Sequence, residues 1–123
     1  MPDFVVKDSG KRQEFASGMR RDTAEGKPRF DLLVADGVPY EEQILYRDAM
    51  VMARGMEKYG AKNWQRANSG EEMDRFKASA YRHFMQWFCG VEDEDHASQL
   101  RFNVFAYESI KYKLKGCKNE VQI

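Results

Sequence analysis

Apolar residues become periodic only after Tyr40, and the period is helical. Leu45, Met52, Met56 and Tyr59 recur at spacings of three, four and seven, which predicts a helix over about residues 41–59, with Gly60 as its stop. Ser69 and Glu72 form the Ser-x-x-Glu signature of a capped helix start. The stripe Met73, Phe76, Ala80, Phe84 and Trp87 carries that second helix to about Cys89, and Gly90 ends it. Asp93, Glu94 and Asp95 suit the positive end of a third helix, and Lys111, Lys113 and Lys115 suit its negative end. Gly116 is the expected terminator, leaving 117–123 as a frayed tail.

Residues 1–38 lack this pattern. They are rich in glycine, charge and turn formers, with small apolar clusters at Phe4-Val5-Val6 and Phe30 to Val34, so they read as an arm or ordered loop with room for one short strand. Within 18–31 the cations Arg20, Arg21, Lys27 and Arg29 are strung between glycines and a proline. Such a loop either solvates or grips an anion. The expected fold is therefore all-α: a small helical bundle with a central αα-hairpin, residues 39–116, preceded by an irregular N-terminal arm.

The short link between the second and third helices forces an antiparallel αα-hairpin. With Val91 as its centre, His83 lies level with about Gln99, Gln86 with about His96, and Ser79 with about Asn103. At a rise of about 1.5 Å per residue the band is only about 12 Å deep. Both histidines of the chain fall within it.

Composition narrows the partners. Twenty Lys and Arg balance twenty Asp and Glu across 123 residues, which excludes the basic footprint of a general nucleic-acid binder. With 42% hydrophobic residues the chain has material for one core, and no apolar run is long enough to span a bilayer. Neither nucleic acid nor membrane is an expected partner. Cys89 and Cys117 form no CxxC pair or disulfide framework, and the N-terminus lacks the order of a signal peptide, so a reducing, cytoplasmic compartment is expected.

His96 and Asn103 share a face of the third helix with Leu100, Tyr107, Ile110 and Leu114, where an unpaired polar group would cost about 1–3 kcal/mol. One reading is a core hydrogen-bond network with His83. The other is a divalent-cation site of His83, Asp95 and His96, with Asn103 orienting the ligands or substrate. Glu57 is a further carboxylate if the first helix crosses the hairpin; otherwise it partners Lys58 or Arg54 at the surface. Trp64, beside Asn63, either plugs the bundle end or stacks on a base. Arg82 is surface decoration or, next to a metal, a phosphate ligand. Phe102, Phe105 and Tyr112 give the third helix a second apolar face, which suits a contact between subunits.

Four stretches, in this order, carry a resemblance. They are Gly18-x-Arg20-Arg21-Asp22-Thr23-x-Glu25-Gly26-Lys27-x-Arg29-Phe30-Asp31-Leu32-Leu33, then Glu57-Lys58-Tyr59-Gly60-x-x-Asn63-Trp64, then Arg82-His83-x-x-x-Trp87-x-x-Gly90, then Asp95-His96 with Asn103. Over about residues 10–110 they resemble the phage family described as dATP/dGTP diphosphohydrolase, N-terminal domain. That family looks related to the all-α nucleoside triphosphate pyrophosphohydrolases of the MazG kind. The resemblance implies a helical homo-oligomer that uses Mg²⁺ or Mn²⁺. Where that kind carries Glu-Glu-x-x-Glu, this chain has His83-x-x-Gln86, and Glu92-x-x-Asp95 matches the second acidic element in letters only. The metal site is then either built from His83, Asp95, His96 and Glu57 or absent.

The expected function is hydrolysis of a purine (deoxy)nucleoside triphosphate to the monophosphate and pyrophosphate. Glu57, His83 and Asp95 are the expected catalytic residues. Arg20, Arg21, Lys27, Arg29, Lys58, Asn63, Trp64, Arg82 and Asn103 are the expected substrate ligands. The alternative is a non-catalytic phage protein that binds a nucleotide or a host protein through the same pocket.

Overall fold

The computed structural model describes the backbone of residues 5–122 and the side chains of residues 5–116. The chain divides into two compact units, residues 1–32 and 33–123.

The first unit is a hairpin rather than a loop with a single strand. Strand β1, Arg12–Glu14, pairs antiparallel with β2, Arg20–Asp22, with Gln13 opposite Arg21. A tight turn closes it: Gly18 has φ +89°, and its N–H donates to the Phe15 carbonyl at 2.8 Å. Both strands are mostly exposed, so side-chain pairing takes the place of a core. The Ser9 hydroxyl donates to Asp22, Lys27 approaches the same carboxylate at 3.2 Å, and Arg12 grips Asp8 through two bonds of 2.7 and 2.8 Å.

The second unit is a small, mostly helical bundle, as the periodicity predicts. After a 3-10 turn at Tyr40–Glu42, helix α1 runs Ile44–Tyr59. A second 3-10 turn, Asn63–Arg66, leads to α2, Gly70–Phe88, and α3 spans His96–Gln122. The capping box forms: the Glu72 N–H donates to Ser69 Oγ at 3.2 Å, while Glu72 Oε1 accepts from the Ser69 hydroxyl and the Asn68 N–H. Gly90 ends α2 at φ +77°, a conformation that other L-residues adopt only at a steric cost.

Three expectations change. Helix α3 starts at His96, and Asp95 precedes it as its cap, accepting the Ser98 N–H at 3.1 Å. The same helix continues through Gly116 to Gln122, since one glycine in a long helix costs only about 1 kcal/mol. The expected frayed tail, 117–123, lies outside the residues whose side chains are described, and so does Cys117. Finally, the apolar stripe of α1 is not covered: Leu45, Met52, Met56 and Tyr59 are all exposed, and among the described residues none in α1 is buried.

What ties α1 to α3 is charge. Arg47 makes a two-bond pair with Asp95, at 2.9 and 2.7 Å, while its neighbour Asp48 accepts from Arg101 at 2.9 Å. The Arg101 guanidinium also reaches Ser98 Oγ. The α2–α3 hairpin is the better-packed part, with Ala80, Ala106 and Ile110 buried in it. Of the expected α2 stripe, Met73, Phe76 and Ala80 turn inwards, but Phe84 and Trp87 are exposed, and His83 takes the inward place beside them. Trp64 packs its ring 6.0 Å from Phe102 and 5.4 Å from Phe105, so part of the second face of α3 is covered from within the chain; Tyr112 is exposed. Among the described residues no helix is long and apolar enough to cross a membrane.

Candidate functional site

Helices α1, α2 and α3 and the Asn63–Arg66 turn line a half-open cavity of about 980 Å³, at the upper end of the range for small-molecule sites. Six cations lie in its lining: Arg54, Lys58, Lys62, Arg66, Arg75 and Arg82. Among the described residues none of the six has an ion-pair partner. Among the described residues two carboxylates share the lining, Glu72 and Glu94. Glu72 is engaged in the helix cap, which holds its carboxyl below the usual range, and Glu94 accepts from the Gln99 side chain at 3.2 Å. So many like charges in one concavity raise its potential and draw in an anion.

The apolar and amide parts of the wall come from Phe76, Phe102, Trp64, Asn63, Gln99 and Asn103. The Trp64 indole N–H is buried without an acceptor among the described residues. Asn103 is also buried, with its amide donating to the Gln99 carbonyl at 2.8 Å.

Of the expected substrate ligands, Lys58, Asn63, Trp64, Arg82 and Asn103 do line this cavity. Arg20, Arg21, Lys27 and Arg29 belong to the first unit, where Lys27 faces Asp22 and Arg29 is held by Asp31 through bonds of 2.8 and 2.7 Å. Glu57 is exposed on α1 and is not part of the cavity wall.

The two histidines meet, but Asp95 does not join them. His83 and His96 bring their Nδ1 atoms to 2.8 Å, and both rings are buried. His96 Nε2 donates to Asp93 Oδ1 at 2.6 Å. Asp93, missed in the sequence, takes the place expected of Asp95. Asp95 faces Arg47 instead, whose guanidinium, with the Ser98 N–H, lowers its carboxyl to about 2. Of the histidine pair only His83 lines the cavity, and Arg82 stands 3.5 Å from its Nε2. Burial first, then the Arg82 and His96 charges, push the His83 imidazole below its ordinary pKa. The hydrogen bond from His96 holds the Asp93 carboxyl below the usual range.

Tested against a divalent cation, the set His83, Asp95 and His96 does not fit. One member is committed to Arg47 and a helix cap, and the other two point nitrogen to nitrogen at hydrogen-bonding distance. Mg²⁺ in addition demands oxygen ligands. Asp93, Glu94 and His96 do place potential ligand atoms within 4.8 Å of one another, yet both imidazole nitrogens of His96 are already engaged, Nε2 with Asp93 and Nδ1 with His83.

A family model described as dATP/dGTP diphosphohydrolase, N-terminal, matches residues 17–115, well over half of the chain. The chain belongs to that family. No curated protein and no solved structure matches it. The match takes in the whole cavity wall and both histidines, and it also spans β2 and the cations Arg20, Arg21, Lys27 and Arg29 of the first unit.

Arg54, Lys62, Arg66 and Arg75 were not expected at the site. A signal for one of them, Arg75, existed. Glu72, Arg75, Ser79, Arg82 and His83 fall on one face of α2 at three- and four-residue spacing, a polar stripe as regular as the apolar one beside it.

Proposed function

We propose that this chain binds a purine deoxynucleoside triphosphate in the α1–α2–α3 cavity and hydrolyses it to the monophosphate and pyrophosphate. The observation that carries this reading is the cavity itself: six cations without ion-pair partners among the described residues, set beside aromatic and amide groups suited to a base. The name of the family supplies the substrate class. A polyanionic ligand offsets the mutual repulsion of the cations, and the same charges stabilise the negative charge that develops as pyrophosphate departs.

The divalent cation, Mg²⁺ or Mn²⁺, belongs in this reading to the substrate, entering as the metal complex of the triphosphate. The exposed Cys89 thiol is compatible with a reducing cytoplasm. A homo-oligomer completes the proposal. Leu45, Met56 and Tyr59 on α1 and Tyr81, Trp87 and Phe88 on α2 are all at least half exposed. Apolar surface of this extent is normally covered, and a second copy of the same helical face is the partner of matching chemistry.

Release of monophosphate and pyrophosphate from each of the four deoxynucleoside triphosphates, with Mg²⁺ or Mn²⁺, tests the reading. Turnover of dATP or dGTP is expected, and folded protein that turns over none of the four refutes it. The unassembled cation site gives one specific reason for a second reading, a protein that binds the nucleotide and does not cleave it. Saturable binding without product would select that reading.

A further inference from the structure

Asp93, His96 and His83 form an unbroken hydrogen-bonded line from the protein surface to the cavity wall. Its outer end is open to water, since the Asp93 side chain is 64% exposed, whereas that of His96 is 1% exposed. Its inner end is His83, 4% exposed and part of the cavity lining.

The proton positions along this line follow from its ends. An ionised carboxylate can only accept, and the Asp93 carboxyl is held below its usual range, so His96 carries its proton on Nε2. The Nδ1 of a neutral His96 is then a lone pair. The 2.8 Å contact requires one proton between the two Nδ1 atoms, and in the uncharged pair it comes from His83. A neutral His83 protonated on Nδ1 has a lone pair on Nε2. The inner end agrees: Arg82, a guanidinium that can only donate, is the group 3.5 Å from that Nε2.

We infer that Asp93, His96 and His83 are a hydrogen-bonded relay that fixes His83 in the Nδ1–H tautomer and presents its Nε2 lone pair towards the cavity as general base. The inference rests on the hydrolytic reading above. In the step it serves, the oxygen of a water molecule bonds to the α-phosphorus. The bond from that phosphorus to the oxygen bridging to the β-phosphorus breaks, and its electron pair leaves on pyrophosphate. One proton of the water passes to His83 Nε2. The His83 imidazolium so formed is held through its Nδ1–H bond to His96, which Asp93 positions, and it gives up the Nε2 proton to solvent as the products leave, which restores the starting tautomer. The balance is one triphosphate and one water consumed, with monophosphate, pyrophosphate and a proton formed.

The charged and titratable groups around His83 are Arg82 on its own helix, Asp93 and Glu94 in the connection, and His96 on α3. Burial and Arg82 disfavour the imidazolium at rest, which keeps the lone pair available. His83 is thus the catalytic residue, while His96 and Asp93 are positioning residues. Asp93, being exposed, can be changed with little risk to the fold.

Two measurements test this. Long-range proton–nitrogen NMR of the nucleotide-free protein near pH 7.5 is expected to show His96 protonated on Nε2 and His83 on Nδ1. The reverse pattern, or two independently exchanging imidazoles, overturns the relay even if the protein hydrolyses dATP. With dATP or dGTP as substrate, Asp93→Asn is expected to lower kcat at least about tenfold, with KM within about twofold, because an amide no longer enforces the His96 tautomer. An unchanged kcat overturns the role of the relay in catalysis. If the tautomers are as stated but the wild-type protein hydrolyses none of the four triphosphates, the hydrolytic reading falls, and the base role falls with it.

Discussion

Two parts of the chain are rich in cations, and they use them in opposite ways. In residues 1–32 each of Lys11, Arg12, Arg20, Lys27 and Arg29 has a carboxylate within 4 Å, and Asp8, Asp22 and Asp31 are held below their ordinary pKa values by those and neighbouring bonds. Around the cavity of the second unit, Arg54, Lys58, Lys62, Arg66, Arg75 and Arg82 have no such partner among the described residues, although the unit makes ion pairs elsewhere, at Arg47 and Arg101. The difference lies in what the charges are for. A hairpin of three-residue strands with no core uses pairs to hold its shape. A concavity whose cations are left unneutralised keeps a potential that only an anion from outside can satisfy.

The largest effect that can break this contrast is on nucleotide binding. Removing one charge-assisted contact costs about 1.5–3 kcal/mol, so Arg75→Ala is expected to weaken binding of dATP or dGTP about tenfold to a hundredfold by calorimetry. Arg29→Ala, whose charge is already spent on Asp31, is expected to change it less than about twofold. Equal losses from both would mean that the arm also grips the substrate, as the density of cations in 18–31 had suggested, and the contrast would fail.

Much of the fold was legible because it depends on local signals. The Ser69–Glu72 cap, the Gly60 and Gly90 stops and the helical spacing of the apolar residues each act within one or two turns. The meeting of His83 and His96 was legible too, since a short link leaves an antiparallel hairpin little freedom. What was not legible depends on contacts between distant segments. Asp93 and Asp95 are chemically identical and two residues apart, and the choice between them was made by Arg47, 48 positions away, which takes Asp95 from the side of α1. The α1 stripe misled for a related reason: periodicity shows that a face is apolar, but not that this chain alone covers it. Arg75 on α2 was overlooked because a charged stripe on a helix usually means solvent, and only the fold reveals that it borders a cavity.

The Arg47–Asp95 pair gives the next effect, on stability, and it sharpens what pairing is worth in each region. Both side chains are partly buried, and Asp95 also caps α3, so Asp95→Ala is expected to destabilise the bundle by about 2 kcal/mol in urea denaturation at pH 7. The sign with pH follows from a folded-state pKa of about 2 against an ordinary value of 3.8. The contribution is complete above about pH 4 and is lost as pH falls from there towards about 2, so wild type and variant should converge in that window. Asp8 in the hairpin is also lowered to about 2, but it stands in water, and Asp8→Asn is expected to leave the unfolding of the bundle unchanged. A loss at Asp8 equal to that at Asp95 would show that exposure does not separate the two pairs.

The smallest effect concerns Lys62, where charge and backbone conflict. Among the described residues it is the non-glycine residue with positive φ, at +60°, and it stands at the entry to the Asn63–Arg66 turn on the cavity wall. A left-handed conformation costs a lysine about 1–2 kcal/mol, whereas glycine would adopt it freely at a cost of about 0.5–1 kcal/mol in unfolded-chain entropy. Lys62→Gly is therefore expected to raise stability slightly, by up to about 1 kcal/mol, in thermal or urea unfolding. If the lysine is there for the anion, the same variant should weaken binding of dATP or dGTP by a few-fold, through loss of one charge among six. Stability and affinity would then move in opposite directions at one residue, as strain kept for a ligand requires. Affinity unchanged in Lys62→Gly would instead make Lys62 a turn residue whose charge faces solvent, and the cavity would hold five working cations.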